Sequence, residues 1–123
     1  MPVINPDSTI TFAMAVRDRR ASAAWYEEMF GFKTLYHADE HGWSELLTNT
    51  DGVTLGLGEQ AEPAPGNSLP VFGVADIAAA RAALEAKGVE FDGDTMVIEG
   101  MVKTASFYDP DRNALMIAQD LTK

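Results

Sequence analysis

Two stretches of the chain repeat one another, and this constrains the fold more than any other feature. VRDRRASAAWYEEMFGF (16–32) lies over VADIAAARAALEAKGVEF (74–91): a Val, an Asp two residues on, a helix-forming run and a closing Gly. DGVTLGL (51–57) lies over DRNALMI (111–117). A period of about 58 residues, present twice, is too long and too few for a solenoid, which needs three or more units. Two units point to a duplicated half-domain with pseudo-twofold symmetry.

Local signals give each half the same order. TITFAMAV (9–16) alternates, with Ile10, Phe12, Met14 and Val16 on one face and Thr9, Thr11, Ala13 and Ala15 on the other, as a half-buried strand does. Asp18 is an N-cap for a helix to about residue 30, which Gly31 ends. KTLYHAD (33–39), WSELLTN (43–49) and VTLGLG (53–58) follow as strands, with turns at EHG and TDG. EQAEPAPGN (59–67) has Pro and Ala but no large apolar side chain, and reads as a linker. SLPVFGV (68–74) is then a strand, Asp76 an N-cap, and IAAARAALEAK (77–87) a helix stopped by Gly88. VEFD (89–92) opens a strand that resumes in MVIEG, and KTASFYD (103–109) and ALMIAQ (114–119) flank the DPDRN turn. In ALMIAQ, Leu115, Met116 and Ile117 place apolar side chains on both faces, so the face away from the core also meets something apolar.

The totals exclude several classes. One domain fits 123 residues, and 46% hydrophobic with 23% charged residues is a globular composition. No apolar run approaches the ~20 residues of a membrane span, and MPVINPDST lacks the pattern of a secretory signal. No Cys means no disulfide, thiolate metal site or thiol nucleophile, and a cytoplasmic location is expected. Nineteen acidic against nine basic residues leave a net charge of −10, which disfavours nucleic acid and anionic membranes and attracts small cations. Solubility alone also accounts for such a charge.

FAMAVRDRRASAAWYEEMFGF (12–32), FGVADIAAARAALEAKGVEF (72–91) and FYDPDRNALMIAQ (107–119), in this order and spacing, resemble the vicinal oxygen chelate superfamily. That superfamily contains glyoxalase I, extradiol dioxygenases and the bleomycin-resistance proteins. The resemblance implies an α+β fold of two tandem βαβββ modules, whose sheets form a cup-shaped mixed sheet with the helices outside. A single domain, 1–123, would hold module 1 at 8–58, the linker at 59–67 and module 2 at 68–120. Metal-dependent members place four ligands on cup-facing strand positions, which fall here on Thr11, Gly56, Leu69 and Met116. Thr11 is a poor ligand for a divalent transition metal, Gly56 and Leu69 offer none, and Met116 is a soft thioether. The resemblance therefore implies no metal, no cofactor and no Lewis-acid chemistry at that position.

Parity then places Leu115 and Ile117 toward the helices and Met116 in the cup, with Thr9, Thr11, Ala13, Thr54 and Gly56. A small, apolar lining leaves volume for a ligand, although Met116 and Leu69 could equally plug a redundant cavity. The expected ligand-binding residues are Thr11, Ala13, Trp43, Glu45, Gly56, Leu69 and Met116, with none for a metal. Trp43 stands at the cup mouth, as a stacking surface for a planar or cationic ligand or as core. Glu45 shares its parity. Facing inward it would be a counter-ion or a catalytic general base, and facing outward a solvated acid.

Other residues carry less. His37 and His41 with Asp39, Glu40 and Glu45 form the one cluster with ligand chemistry, but the spacing straddles a turn, so surface histidines near a loop are expected. Trp25 and Tyr26 fit helix-on-sheet packing, Trp25 as core. Lys103 and Tyr108 could serve the rim of a site. Arg112 stands in DPDRN where the family usually has Gly, at a turn position favouring positive φ, with Asp109 and Asp111 as partners. No phosphate-binding Gly loop precedes a helix, and two His residues give no readable hydrolase triad.

Three functions compete. The first is a metal-free binding protein, similar to bleomycin-resistance proteins and homodimeric as they commonly are, for a small cationic or aromatic molecule. The second is an enzyme, a glyoxalase-like lyase or isomerase or a dioxygenase relative, using shifted ligands such as His37, His41 and Glu45, or acid–base work by Glu45. The third is a regulatory or interaction module with a vestigial cup. The vacant ligand positions lean away from an enzyme.

Overall fold

Asp18 and Asp76 each convert an extended backbone into a helix. In the computed structural model, which describes residues 7–64 and 69–122, both have β-region φ/ψ (−134°/103° and −139°/101°). The carboxylate of Asp18 accepts from the backbone N–H of Arg20 and Ala21, and that of Asp76 from Ala79, each at 3.1 Å. These bonds satisfy donors that the first helical turn leaves orphaned. The chain divides into two units, Met1–Ala64 and Pro65–Lys123.

The first unit runs β1 (Ile10–Val16), α1 (Arg19–Phe30), β2 (Lys33–Ala38), a short 3₁₀ turn (Asp39–His41), β3 (Trp43–Leu47) and β4 (Val53–Glu59). Gly31 ends α1 with φ 73°, its N–H donating to Glu27 O at 2.9 Å. The sheet order is β1-β4-β3-β2, with β1 parallel to β4 and the other pairs antiparallel. The core holds Met14, Val16, Ala23, Tyr26, Phe32, Leu46, Leu55 and Leu57. Burying each of the larger aliphatic members stabilises by about 1.5–3 kcal/mol. Tyr26, expected beside Trp25 in the helix–sheet packing, is fully buried and donates its hydroxyl to Met14 Sδ at 3.4 Å. Trp25, expected as core, is only half-buried and meets Tyr26 edge-on. Ile10 and Phe12, expected on the core face, are exposed, since α1 packs over β2, β3 and β4 and leaves the leading half of β1 uncovered.

The second unit runs β5 (Val71–Gly73), α2 (Ile77–Ala86), β6 (Met96–Ile98), β7 (Val102–Tyr108) and β8 (Ala114–Asp120). The order is β5-β8-β7-β6, again with one parallel pair, β5 with β8. The expected modules are thus present as two four-stranded mixed sheets, each with one helix. Part of the expected linker and of SLPVFGV, residues 65–68, lies outside the described residues. The strand itself begins at Val71, after Pro70, which has no N–H for a ladder. VEFD does not open a continuous strand. Phe91 makes a single bridge to Phe107, and Gly93 then turns the chain with φ 75° before β6. Arg81 holds this detour, its guanidinium over the Phe91 ring and bonded to Gly93 O at 2.9 Å.

Arg112 has φ 67°, the one positive value of a non-Gly residue among those described. Asp109 builds the turn around it, accepting from Asp111 N, Asn113 N and Asn113 Nδ2 at 2.8–2.9 Å. The guanidinium of Arg112 reaches Glu90 at 2.9 Å and lies over the Tyr108 ring at 3.9 Å.

Candidate functional site

Strand alternation on β3 sends Ser44 and Leu46 into the core beneath α1, and Trp43, Glu45 and Leu47 to the opposite face. Register places Trp43 beside Gly58, Glu45 beside Gly56, and Leu47 beside Thr54. Ala13 lies next to Gly56 and Thr11 next to Thr54 across the parallel pair. Five of the expected site residues, Thr11, Ala13, Trp43, Glu45 and Gly56, therefore share one face of the first sheet. Leu69 and Met116 belong to the second unit. There Leu115 and Ile117 are buried and Met116 is half-buried on the face away from α2, paired with Val71 and Ser106.

The first-sheet face is neither apolar nor roomy at Gly56, which corrects the expected small apolar lining. The Trp43 indole lies flat on β4 there: a Cβ on Gly56 would stand 2.0 Å from Trp43 Cζ2. Gly58 extends the same bed, its would-be Cβ 3.6 Å from the indole. The glycines make room for a ring, not for a ligand. Indole Nε1 donates to Glu45 Oε1 at 2.7 Å, and Tyr36 Oη donates to the same oxygen at 3.4 Å. Thr54 Oγ1 donates to Glu45 Oε2 at 2.8 Å. Thr54 has one hydroxyl proton, so Thr11, at 2.7 Å, donates to Thr54. Glu45 is thus a half-buried carboxylate with three uncharged partners, two of them the polar tips of aromatic side chains. Sequence reading did not mark Tyr36.

The opposite face holds this platform rigid. Arg19, whose side chain is 8% exposed, donates Nη1 to Trp43 O at 3.1 Å and to Ser44 Oγ at 3.0 Å. Nη2 meets Asp39 at 3.0 Å, Nε stands 3.4 Å from Glu59, and the backbone N–H of Arg19 bonds Glu59 Oε1 at 3.1 Å. Arg19 can only donate to Ser44 Oγ, and the same hydroxyl shares a hydrogen bond of 2.6 Å with His37 Nδ1. Hydrogen bonds from Arg19, then Arg20, hold the Asp39 carboxyl below its ordinary range. His37 is half-buried in this network, and His41 is exposed in the 3₁₀ turn. Among the described residues no three His, Asp or Glu side chains gather as metal ligands would. Lys103 and Tyr108 differ by an odd number along β7 and point to opposite faces.

The residues at the four positions that the resemblance assigns to the family metal do not fit it. Gly56 has no donor and the indole fills the space above it, the Thr11 hydroxyl is engaged with Thr54, and Leu69 and Met116 bring no nitrogen or oxygen.

Residues 9–117 match the model of the Glyoxalase/Bleomycin resistance protein/Dioxygenase superfamily. No curated protein matches the sequence. Among solved structures, the chain is similar to TnmS3, an antibiotic binding protein from Streptomyces sp. CB03234, with 25% identity over 98% of this chain and 99% of that one, and a TM-score of 0.76. An integron cassette protein from the mobile metagenome of the Halifax Harbour sewage outfall gives 24% identity, coverage of 90% and 97%, and a TM-score of 0.75. The fosfomycin resistance protein FosX from Listeria monocytogenes gives 17% identity, coverage of 95% and 94%, and a TM-score of 0.76, a likeness of fold.

Proposed function

From the premise that this chain belongs to the Glyoxalase/Bleomycin resistance protein/Dioxygenase superfamily, we propose that it binds a small aromatic cation, without a metal, on the Trp43–Glu45 face of its first unit. The observation that carries this reading is the indole laid on Gly56 with its N–H on Glu45. One face of the half-buried ring rests on β4, and the charge sits at the ring edge. A cation over such a ring gains about 0.5–2 kcal/mol. The net charge of −10 raises the local concentration of cations. That solved relatives include an antibiotic binding protein and a fosfomycin resistance protein supports a small-molecule ligand. Glu45 serves as a counter-ion in this reading, since both oxygens already accept bonds that hold the carboxylate in place.

A homodimer in the cytoplasm completes the proposal. The exposed Ile10 and Phe12 on the edge strand β1 support an interface between copies, which sedimentation would measure. No helix among the described residues is long and apolar enough to cross a membrane.

Calorimetric titration of chelator-dialysed protein, with a planar aromatic amine and its uncharged isostere, tests the binding. Saturable heat from the cation alone is expected. A requirement for added divalent metal, or equal binding of the neutral compound, overturns the reading.

A further inference from the structure

Glu45 presents a charge with almost no acceptor left to offer. A carboxylate has about four lone-pair positions on its two oxygens. Oε1 accepts from Trp43 Nε1 and Tyr36 Oη, and Oε2 from Thr54 Oγ1. Thr54 is held in this role because its own oxygen receives the Thr11 hydroxyl. Among the described residues this leaves a single position, on Oε2, without a donor.

We infer, resting on the cation-binding reading above, that the head group this face selects is a tertiary ammonium on an aromatic scaffold. It brings one N–H for the one open position, and its alkyl groups lie against the rings of Trp43 and Tyr36. A guanidinium seeks two parallel acceptors on one carboxylate, which the Trp43, Tyr36 and Thr54 donors have taken. A primary ammonium carries three donors and a tight hydration shell, and only one donor finds Glu45. An alkylated ammonium has fewer donors to satisfy and is attracted by the ring faces.

The test is calorimetric titration of the full chain with one naphthyl scaffold bearing, in turn, dimethylammonium, trimethylammonium, primary ammonium and guanidinium. Dimethylammonium is expected to bind tightest, trimethylammonium within about threefold, and the other two weaker by about fivefold or more. Tyr36→Phe keeps the ring and opens a second position on Oε1, so the guanidinium deficit should shrink to about twofold or less. Guanidinium or primary ammonium binding as tightly as dimethylammonium, or a deficit unchanged in Tyr36→Phe, overturns the selection while the cation site stands. If none of the four binds, the site and the selection fall together.

Discussion

At the Gly56 and Met116 positions the two units place bulk on opposite strands of equivalent sheets. In the first, β3 carries Trp43 and Glu45 against Gly58 and Gly56 of β4. In the second, the matching register sets Thr104 and Ser106 of β7 against Ala118 and Met116 of β8. At the inner pair the large member is exchanged, Glu45 beside Gly56 becoming Ser106 beside Met116, while Thr104 beside Ala118 keeps the larger residue on the same strand. The helix starts show the same economy. Arg19 N bonds Glu59 Oε1, and Ile77 N, at the equivalent place, bonds Gln119 Oε1 at 2.9 Å. The fold requires an acceptor there and accepts either a carboxylate or an amide. Arg19 and Ile77 are both buried as the first helical residue, one a cation that ties together four segments and the other a plain apolar contact. Duplicated backbone therefore constrains local geometry, while the facing side chains diverge, and chemistry accumulates in one unit.

The largest expected effect breaks this asymmetry at Arg19. Arg19→Ala removes the charged donor shared by the buried Ser44 hydroxyl and the Trp43 carbonyl, and should cost about 3 kcal/mol in urea unfolding. Glu59→Gln, which gives the first unit the cap of the second, should cost less than about 1 kcal/mol. Equal costs would show that the cap, and not the guanidinium, anchors the platform.

Gly56→Ala comes next. Its methyl group collides with the indole, so about 1–3 kcal/mol of stability is lost, and Trp43 emission should shift to the red in a Trp25→Phe background. Met116→Ala, at the equivalent place in the second unit, removes half-buried bulk and makes no such collision. An unshifted spectrum in Gly56→Ala would contradict the packed ring.

Acid sharpens the comparison further, because in the first unit Arg19 and Arg20 both meet the Asp39 carboxylate. The folded carboxyl of Asp39 titrates below its unfolded value of 3.8. Its contribution is present above that value and lost as pH falls through the lower folded one. Unfolding free energies between about pH 6 and pH 2 should decline less steeply in Asp39→Asn than in the parent. Identical slopes would count against the shift.

Arg112→Gly should matter least. It relieves left-handed strain and loses an exposed ion pair and a ring contact that act in the opposite direction. A net change beyond about 1 kcal/mol in thermal unfolding would show that one of these is misjudged.

Much of the fold was legible because its signals are local. Asp18, Gly31, Asp76 and Gly88 act through their own dihedrals and neighbours, and the positive φ of Arg112 follows from the turn it occupies. The alternation of Leu115, Met116 and Ile117 needs only the period of a strand. The site was legible in part. Trp43 and Glu45 could be named from parity, but the indole's seat on Gly56 depends on the pairing of β3 with β4, which no single segment encodes. Tyr36 was hidden by the bulge between Thr34 and Tyr36. Unbroken alternation would set Tyr36 on the face of Thr34, which pairs with the buried Leu46, whereas the bulge turns it across to Glu45. The roles of Arg19 and Ser44 were equally invisible, since a helix-start arginine gives no sign that it will be buried against a strand 25 residues away.

The most direct measurement pairs metal removal with the isosteric change Glu45→Gln. Chelator-dialysed parent and variant, both shown folded by circular dichroism, would be titrated with the same naphthyl dimethylammonium compound. The account predicts undiminished binding by the parent after dialysis and a loss of about tenfold or more in the variant. Binding that returns only with a divalent ion, or that ignores Glu45→Gln, would contradict it.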